Sequence, residues 1–199
     1  MRILAASDLH GSTKGVSRLL EYVYRYDADL ITLSGDITHF GLGDHVDRIF
    51  EPVPVEILAV SGNCDPLDVS HALGTSSKIT PLNGNIVKRT GWHFCGYSYQ
   101  DMAIQDILPI VPKEKTILLT HVPPRGILDK TATGNAGDGN INRWVDEFAP
   151  ALVLTGHIHE ARGMERHKNT VFVNPGPIRD GMAAVVDVDE SCIRDVVFL

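Results

Sequence analysis

Seven side chains with electron pairs to offer stand just past short apolar runs. Asp8 and His10 follow Arg2-Ile3-Leu4-Ala5-Ala6, Asp36 follows Leu30 to Ser34, and Asn63 follows Val55 to Val60. His121 follows Lys115 to Thr120, and His157 and His159 follow Ala151 to Thr155. Each run has the length and apolar content of a strand buried on both faces. Residues two apart on an extended segment point the same way, so Asp8 and His10 can grip one cation together. In an open sheet the carboxyl ends of the strands converge on one crevice, which would gather all seven donors. Oxygen and imidazole donors without thiolate suit manganese, iron, zinc, cobalt or nickel. The set is too large for one tetrahedral ion, whereas two ions sharing a carboxylate would use it fully. Two metals ~3.5 to 4 Å apart generate a hydroxide near neutral pH and stabilise both oxygens of an in-line displacement at phosphorus, so the chemistry indicated is phosphoester hydrolysis.

The elements that must position these residues alternate along the chain. Val16, Leu19, Leu20 and Val23 recur at helical spacing, which predicts a helix capped at Ser12 or Thr13 and running to about Tyr26. A short helix is expected from His45 to Phe50. Strand, helix, strand in repeated short units predicts a mostly parallel sheet covered by helices. From Asn83-Gly84-Asn85 onward the pattern changes. Ile86-Val87 and Trp92 to Cys95 are expected as strands meeting through Lys88 to Gly91, and open a mixed or second sheet. The Pro- and Gly-rich segment from Val122 to Gly139 reads as a long loop, a kind that is usually functional, and it is expected beside the site. Ile141, Trp144, Val145 and Phe148 predict an amphipathic helix entered at Asn140 and closed by Pro150. Val171 to Val173 is a further strand that stops at Asn174-Pro175-Gly176-Pro177, and Met182 to Val188 with Cys192 to Phe198 predict a closing antiparallel hairpin.

The 199 residues, 43% of them hydrophobic, suffice for one compact domain spanning residues 1–199. The apolar runs fall well short of the ~20 residues that span a bilayer, and no basic-then-apolar segment opens the chain, so a soluble cytoplasmic protein with no membrane partner is expected. Cys64, Cys95 and Cys192 lack the paired spacing of a disulfide or zinc framework, consistent with a reducing compartment. A formal charge of -7 disfavours charge-driven binding to nucleic acid. It does not exclude a small phosphoester, which would feel two bound dications more than the distant surface.

In its ordered blocks Asp8-Leu9-His10, Gly35-Asp36, Gly62-Asn63-Cys64-Asp65, His121 and Gly156-His157-Ile158-His159, the chain resembles the calcineurin-like metallophosphoesterases, whose pattern is D-x-H, G-D, G-N-H-[DE], H and G-H-x-H. The small size, Cys64 and the Asn174-Pro175-Gly176 turn are most similar to the compact bacterial and archaeal phosphodiesterase subfamilies, including the Icc-related proteins. The resemblance implies an α/β fold, a four-layer α/β/β/α sandwich. It implies one ion on Asp8, His10, Asp36 and His159 and a second on Asp36, Asn63, His121 and His157, with Asp36 as the bridge. Asn63 would supply a neutral carbonyl oxygen, and a hydroxide between the ions would be the nucleophile. Manganese is the first expectation for the two ions, with iron, zinc, nickel or cobalt as alternatives.

Cys64 stands where that family has a phosphate-side histidine. A thiol with pKa ~8.5 replaces an imidazole poorly, so Cys64 is read chiefly as a small filler beside Asn63, with a reactive or metal-binding thiolate as the lesser reading, and diesters are favoured over monoesters. Asp65 is read as an acceptor that orients Asn63 or a ligand histidine. Arg125 could clamp a phosphate bidentately. Of the histidines outside the blocks, His39 is the one placed to line the pocket, whereas His45, His71, His93 and His167 read as surface or packing residues. Two other readings stand beside hydrolysis of small phosphodiesters: a non-catalytic scaffold on the same fold, similar to the small retromer subunit, and a nuclease. The oligomeric state, a homodimer included, is left open.

Overall fold

Alternate side chains of strand β1 (Arg2–Ala6) settle into two different cores, Leu4 and Ala6 on one side and Ile3 and Ala5 on the other. This is the two-residue period of a strand buried on both faces. The structure, a computed structural model, describes residues 1–41, 43, 46–98 and 110–199. Parallel strands β2 (Leu30–Ser34), β3 (Glu56–Val60) and β4 (Ile79–Pro81) extend the sheet on one side of β1. On its other side β13 (Ala184–Val188) and β14 (Ile193–Phe198) close it as antiparallel strands, giving the order β14-β13-β1-β2-β3-β4.

The second sheet is built around β6 (Trp92–Tyr97), β7 (Thr116–Thr120), β10 (Leu152–Leu154) and β12 (Thr170–Asn174), all parallel. Antiparallel β5 (Ile86–Arg89) and β11 (Gly163–His167) border it. Ile3, Leu30, Leu58 and Val60 from the first sheet meet Trp92, Phe94, Ile117, Leu119 and Leu154 from the second in the central core. Helices α1 (Thr13–Tyr26), α2 (Val46–Phe50) and α3 (Leu67–Thr75) cover the outer face of the first sheet. Helix α4 (Gly139–Phe148) lays Ile141, Trp144 and Val145 on Leu118, Val153 and Phe172 of the second. The layers therefore run helix, sheet, sheet, helix, as the resemblance implied. Among the described residues no helix is long and apolar enough to cross a membrane.

The helix ends follow side-chain chemistry. Ser12 Oγ accepts from the Gly15 N–H at 3.0 Å and begins α1, while Asp27 ends it in the left-handed conformation. Asp138, not Asn140, caps α4 by accepting from Asn140 N, and Ala149 ends it with φ 41° just before Pro150. The expected first residue of α2, His45, lies outside the described residues.

Helix α3 and strands β4 and β11 exceed the sequence expectation. Helix α3 starts after Pro66 without a side-chain cap, and buries only Val69 and Leu73, a stripe too thin to announce a helix. Strand β4 is three residues long, and β11 is an exposed edge whose Glu165-Arg166-His167 has no apolar alternation. The link between β5 and β6 is shorter than expected. Thr90 and Gly91 both take positive φ, 44° and 84°, and form a two-residue turn of the kind that matches strand twist. The segment from Val122 to Gly139 also carries a small ribbon of β8 (Lys130–Thr131) and β9 (Gly134–Asn135), and β8 packs against the 3-10 turn His159–Ala161.

Candidate metal centre

β1, β2 and β3 are parallel neighbours in one sheet, and β7 and β10 in the other, so their carboxyl ends emerge together. Backbone bonds stitch those ends: Asp8 N to Gly35 O at 3.1 Å, His10 N to Asp36 O at 2.8 Å, and Gly156 N to His121 O at 3.0 Å. Ser34 Oγ donates across the sandwich to Leu154 O at 3.3 Å. The Asn174 to Pro177 turn completes the rim, because Asn174 Nδ2 donates to Ile158 O and Ile178 N donates to Ser7 O.

Two glycines set how closely the ends approach. A Cβ on Gly35, which holds φ +82°, would lie 2.4 Å from His121 Nδ1, and one on Gly62 would lie 2.2 Å from Asp36 Oδ1. Neither position tolerates a side chain without displacing a candidate ligand.

The structure brings the seven expected donors to one place. Asp8 Oδ1 lies 3.1 Å from His159 Nε2 and 4.0 Å from His10 Nε2. Asp36 faces both ways, with Oδ2 3.7 Å from His10 Nε2 and Oδ1 3.3 Å from His121 Nε2. Asn63 turns its carboxamide oxygen to His121 Nε2 at 2.9 Å, and the His157 ring stands edge-on to His121 with centroids 4.9 Å apart. Ligand atoms of Asp8, His10 and His159 form one group, and those of Asp8, Asp36 and His121 another, each within 4.8 Å. Asp8 thus belongs to both groups, alongside the Asp36 that the resemblance makes the bridge.

Burial raises the carboxyl pKa of Asp36, but the hydrogen bond and charge of His121, with the Cys64 N–H at 2.8 Å, outweigh it and hold the group below the usual range. Burial works against Asp8 in the same way, and His159 and His121 hold it down. For His121 burial favours the neutral ring, yet Asp36 carries its pKa above the ordinary value. The hydrogen bond that His159 donates to the Asp8 carboxylate raises the His159 pKa, while burial lowers His10 and His157.

The residues fit a pair of divalent cations. Both ring nitrogens of His10 are buried without a hydrogen-bond partner among the described residues, an arrangement costly unless something positive sits beside them. His121 donates Nδ1–H to Ser34 O at 2.9 Å when neutral, which leaves the Nε2 lone pair facing Asp36 and Asn63. Oxygen and imidazole donors in this number suit borderline divalent ions.

The remaining expectations divide. Asp65 acts on the backbone of the loops that carry the donors. Its carboxylate accepts from Ile37 N (3.1 Å), Thr38 N (2.8 Å), Thr38 Oγ1 (3.1 Å) and Gly62 N (2.8 Å), so it holds the two loops that present Asp36 and Asn63. Cys64 is half-buried rather than core, and burial, followed by Asp36, pushes its thiol up to about 12. Arg125 is not brought to the seven. Its backbone is tied to Asn142 and Asp138, and it lines a cavity with Ile127, Glu165 and His167. The cation at the centre is instead Arg179, whose Nη2 lies 3.4 Å from His159 Nδ1 and whose charge acts on both His159 and His10. Sequence reading missed it because it follows a turn, not an apolar run. The one signal was its position two residues past Asn174-Pro175-Gly176-Pro177.

Comparison with known proteins agrees with this geometry. The family model described as the calcineurin-like phosphoesterase superfamily domain matches residues 1–191. The chain is 29% identical over 197 residues to the protein MJ1162 of Methanocaldococcus jannaschii, covering 89% of this chain and 88% of that one. It is 30% identical over 74 residues to the phosphodiesterase YfcE of Escherichia coli, covering 33% of this chain and 40% of that one. The crystal structure of TT1561 of Thermus thermophilus superposes with a TM-score of 0.76 at 15% identity, covering 100% of this chain and 97% of that one, a likeness of fold.

Proposed function

Since the chain belongs to the calcineurin-like phosphoesterase superfamily, we propose that it hydrolyses phosphodiesters of small molecules, and phosphomonoesters less readily, with two divalent cations. Asp8, His10, Asp36 and His159 would hold one ion and Asp36, Asn63, His121 and His157 the other, manganese being the first expectation. The observation that carries this reading is the Asp36 carboxylate, with one oxygen 3.7 Å from His10 and the other 3.3 Å from His121. A pair of such ions supplies Lewis acidity to the phosphoryl group and an activated water near neutral pH.

The chain's own residues do the rest. Ser34 O fixes the His121 tautomer, so that Nε2 is offered to the centre. Asn63 offers an oxygen without adding charge, while its Nδ2 faces Cys64 Sγ at 3.4 Å. Arg179 provides a fixed positive charge beside His159, suited to a phosphate oxygen. With no cation on its sulfur, Cys64 is held protonated, its thiol pushed up to about 12 by burial and Asp36, so it is a weak proton donor and gives a poor leaving group little help. This supports aryl-type diesters, whose leaving groups need no proton, as the best substrates. The name of YfcE, a phosphodiesterase, points the same way. Cys64, Cys95 and Cys192 are all unpaired, which supports a reducing compartment.

The test is a matrix of metals against bis(p-nitrophenyl) phosphate, p-nitrophenyl phosphate, cyclic nucleotides and DNA. Manganese-dependent turnover of the diester, nearly abolished in Asp36→Asn, is expected. Turnover of no ester with any metal would leave a scaffold, and strongly salt-dependent cutting of DNA would make it a nuclease.

A further inference from the structure

Beside the candidate metal centre lies a third group of donors, of which His39 and Cys64 are not used by the two ions. Ligand atoms of His10, His39 and Cys64 all lie within 4.8 Å of one another. We propose that Cys64, His39 and His10 form a separate, thiolate-bearing cation site at the mouth of the centre, that it takes a thiophilic ion such as zinc, and that an ion there inhibits hydrolysis by drawing His10 away. The inhibition rests on the phosphodiesterase reading, whereas the site itself does not.

Three observations support it. The His10 side chain is only 9% exposed, and neither ring nitrogen has a hydrogen-bond partner among the described residues, so a buried donor is aimed at the group. The His39 ring stands edge-on to His10, with centroids 5.4 Å apart. The two loops are tied to each other, since Phe40 N donates to Cys64 O at 3.0 Å, and the Cys64 loop is tied to the centre by Cys64 N donating to Asp36 Oδ1 at 2.8 Å. The backbones of the two loops are thus held in place, with the His39 side chain exposed and the Cys64 side chain half-buried.

A tetrahedral zinc ion, with Zn–N ~2.0 to 2.1 Å and Zn–S ~2.3 Å, would draw the donor atoms to about 3.4 to 3.6 Å, a closure of roughly 1 Å by side-chain rotation. The thiol proton leaves to solvent as the Zn–S bond forms, two imidazoles bind neutral, and the fourth position remains for water. One sulfur among the donors separates this site chemically from the seven-residue set, because thiolate selects softer ions than carboxylate and carboxamide do. His10 also belongs to the group with Asp8 and His159, so occupancy of the outer site competes with the inner one.

The experiment is a cobalt(II) titration of the full chain after chelator treatment, recording near-ultraviolet absorption and turnover of bis(p-nitrophenyl) phosphate on the same samples. A thiolate-to-cobalt charge-transfer band should grow in after the first two equivalents, and turnover should fall as it grows. Cys64→Ser should abolish the band. His39→Ala should raise the cobalt concentration at half-signal at least ~10-fold, since even outer partners of metal ligands are worth about 10- to 100-fold in affinity. Zinc in excess should inhibit wild type more than His39→Ala, each relative to its own zinc-free rate. A band surviving in Cys64→Ser, a His39→Ala titration matching wild type, or turnover with cobalt bound and no band would each overturn the site. A band of the expected kind without turnover would overturn the phosphodiesterase reading and leave the site standing.

Discussion

Asp8, His10, Asp36 and His157 all hold left-handed backbone conformations, with φ of 54°, 49°, 51° and 66°. Such positions cost a residue with a Cβ on the order of 1–3 kcal/mol and cluster where surrounding structure enforces them. Here the sharp turn aims each donor back over its own strand end. Between Asp36 and His121 the linkage has a definite sign in metal-free protein. His121 has a folded pKa above its ordinary 6.5, so its contribution is complete below about 6.5 and is lost as pH rises through the folded value. Asp36 has a folded pKa below 3.8, so its contribution is complete above about 4 and is lost as pH falls through the folded value. His10 and His157 are lowered and act oppositely near neutrality, so the measurement must be a difference. In chelator, urea midpoints of wild type and His121→Asn should differ most below about pH 6.5 and converge as pH rises through the folded value of His121. A gap that does not change with pH would mean His121 is not charged. At the same scale, Cys64→His should raise the rate on alkyl diesters more than on aryl ones, because general-acid help is worth ~10²- to 10⁴-fold only where the leaving group needs it. Equal gains on both would show that the side chain acts on the phosphate instead.

The loops after β2 and β3 behave as one element because the buried Asp65 carboxylate accepts from backbone donors in both. Removing it leaves several buried N–H groups unpaired at about 1–3 kcal/mol each. Asp65→Ala is therefore expected to lower stability by roughly 3 kcal/mol or more, and to weaken metal binding although Asp65 is not among the seven donors. Asp65→Asn keeps one carbonyl acceptor and should lose less. Urea unfolding with and without manganese reads both effects, and full metal affinity in a destabilised Asp65→Ala would separate the loops from the site. The approach of β2 to β7 is tested by Gly35→Ala, whose new methyl meets His121 at a positive φ. It should reduce metal affinity more than Gly91→Ala, which also holds a positive φ but has nothing within 4 Å.

Across the whole molecule, the centre lies where two sheets that share one core bring their strand ends together, so metal binding and folding are coupled. An ion held by the native state alone adds ~2.7 kcal/mol at a hundredfold excess over its dissociation constant. For a chain of this size that corresponds to a rise in Tm of about 5–11 °C. Manganese should therefore raise the thermal midpoint over chelator by that order, with two ions per chain in elemental analysis. Equal midpoints, or a single ion with His157 unliganded, would count against the dinuclear centre.

The strand ends and their donors were legible because two local signals coincide: a short run buried on both faces, and a polar residue just past it that the run cannot bury. β1, β2, β3 and β7 were readable for that reason, as were α1 and α4 from their apolar stripes. Family likeness supplied the pairing of donors into two sets, which no local pattern contains. Helix α3 and strand β11 were not readable, since one buries only Val69 and Leu73 and the other lies exposed at an edge. The sequence placed His39 at the pocket and Asp65 in support of the donors, but the partners of these two, and the presence of Arg179, came only with the tertiary structure. Arg179 reaches His159 across twenty positions of chain, Asp65 reaches Thr38 across twenty-seven, and His39 meets His10 only because the first two strands lie side by side. The sequence determined which atoms could hold a cation, because that depends on residue type and the local run. Which of them share one, and which charge stands beside them, depends on distances that exist only once the two sheets have packed.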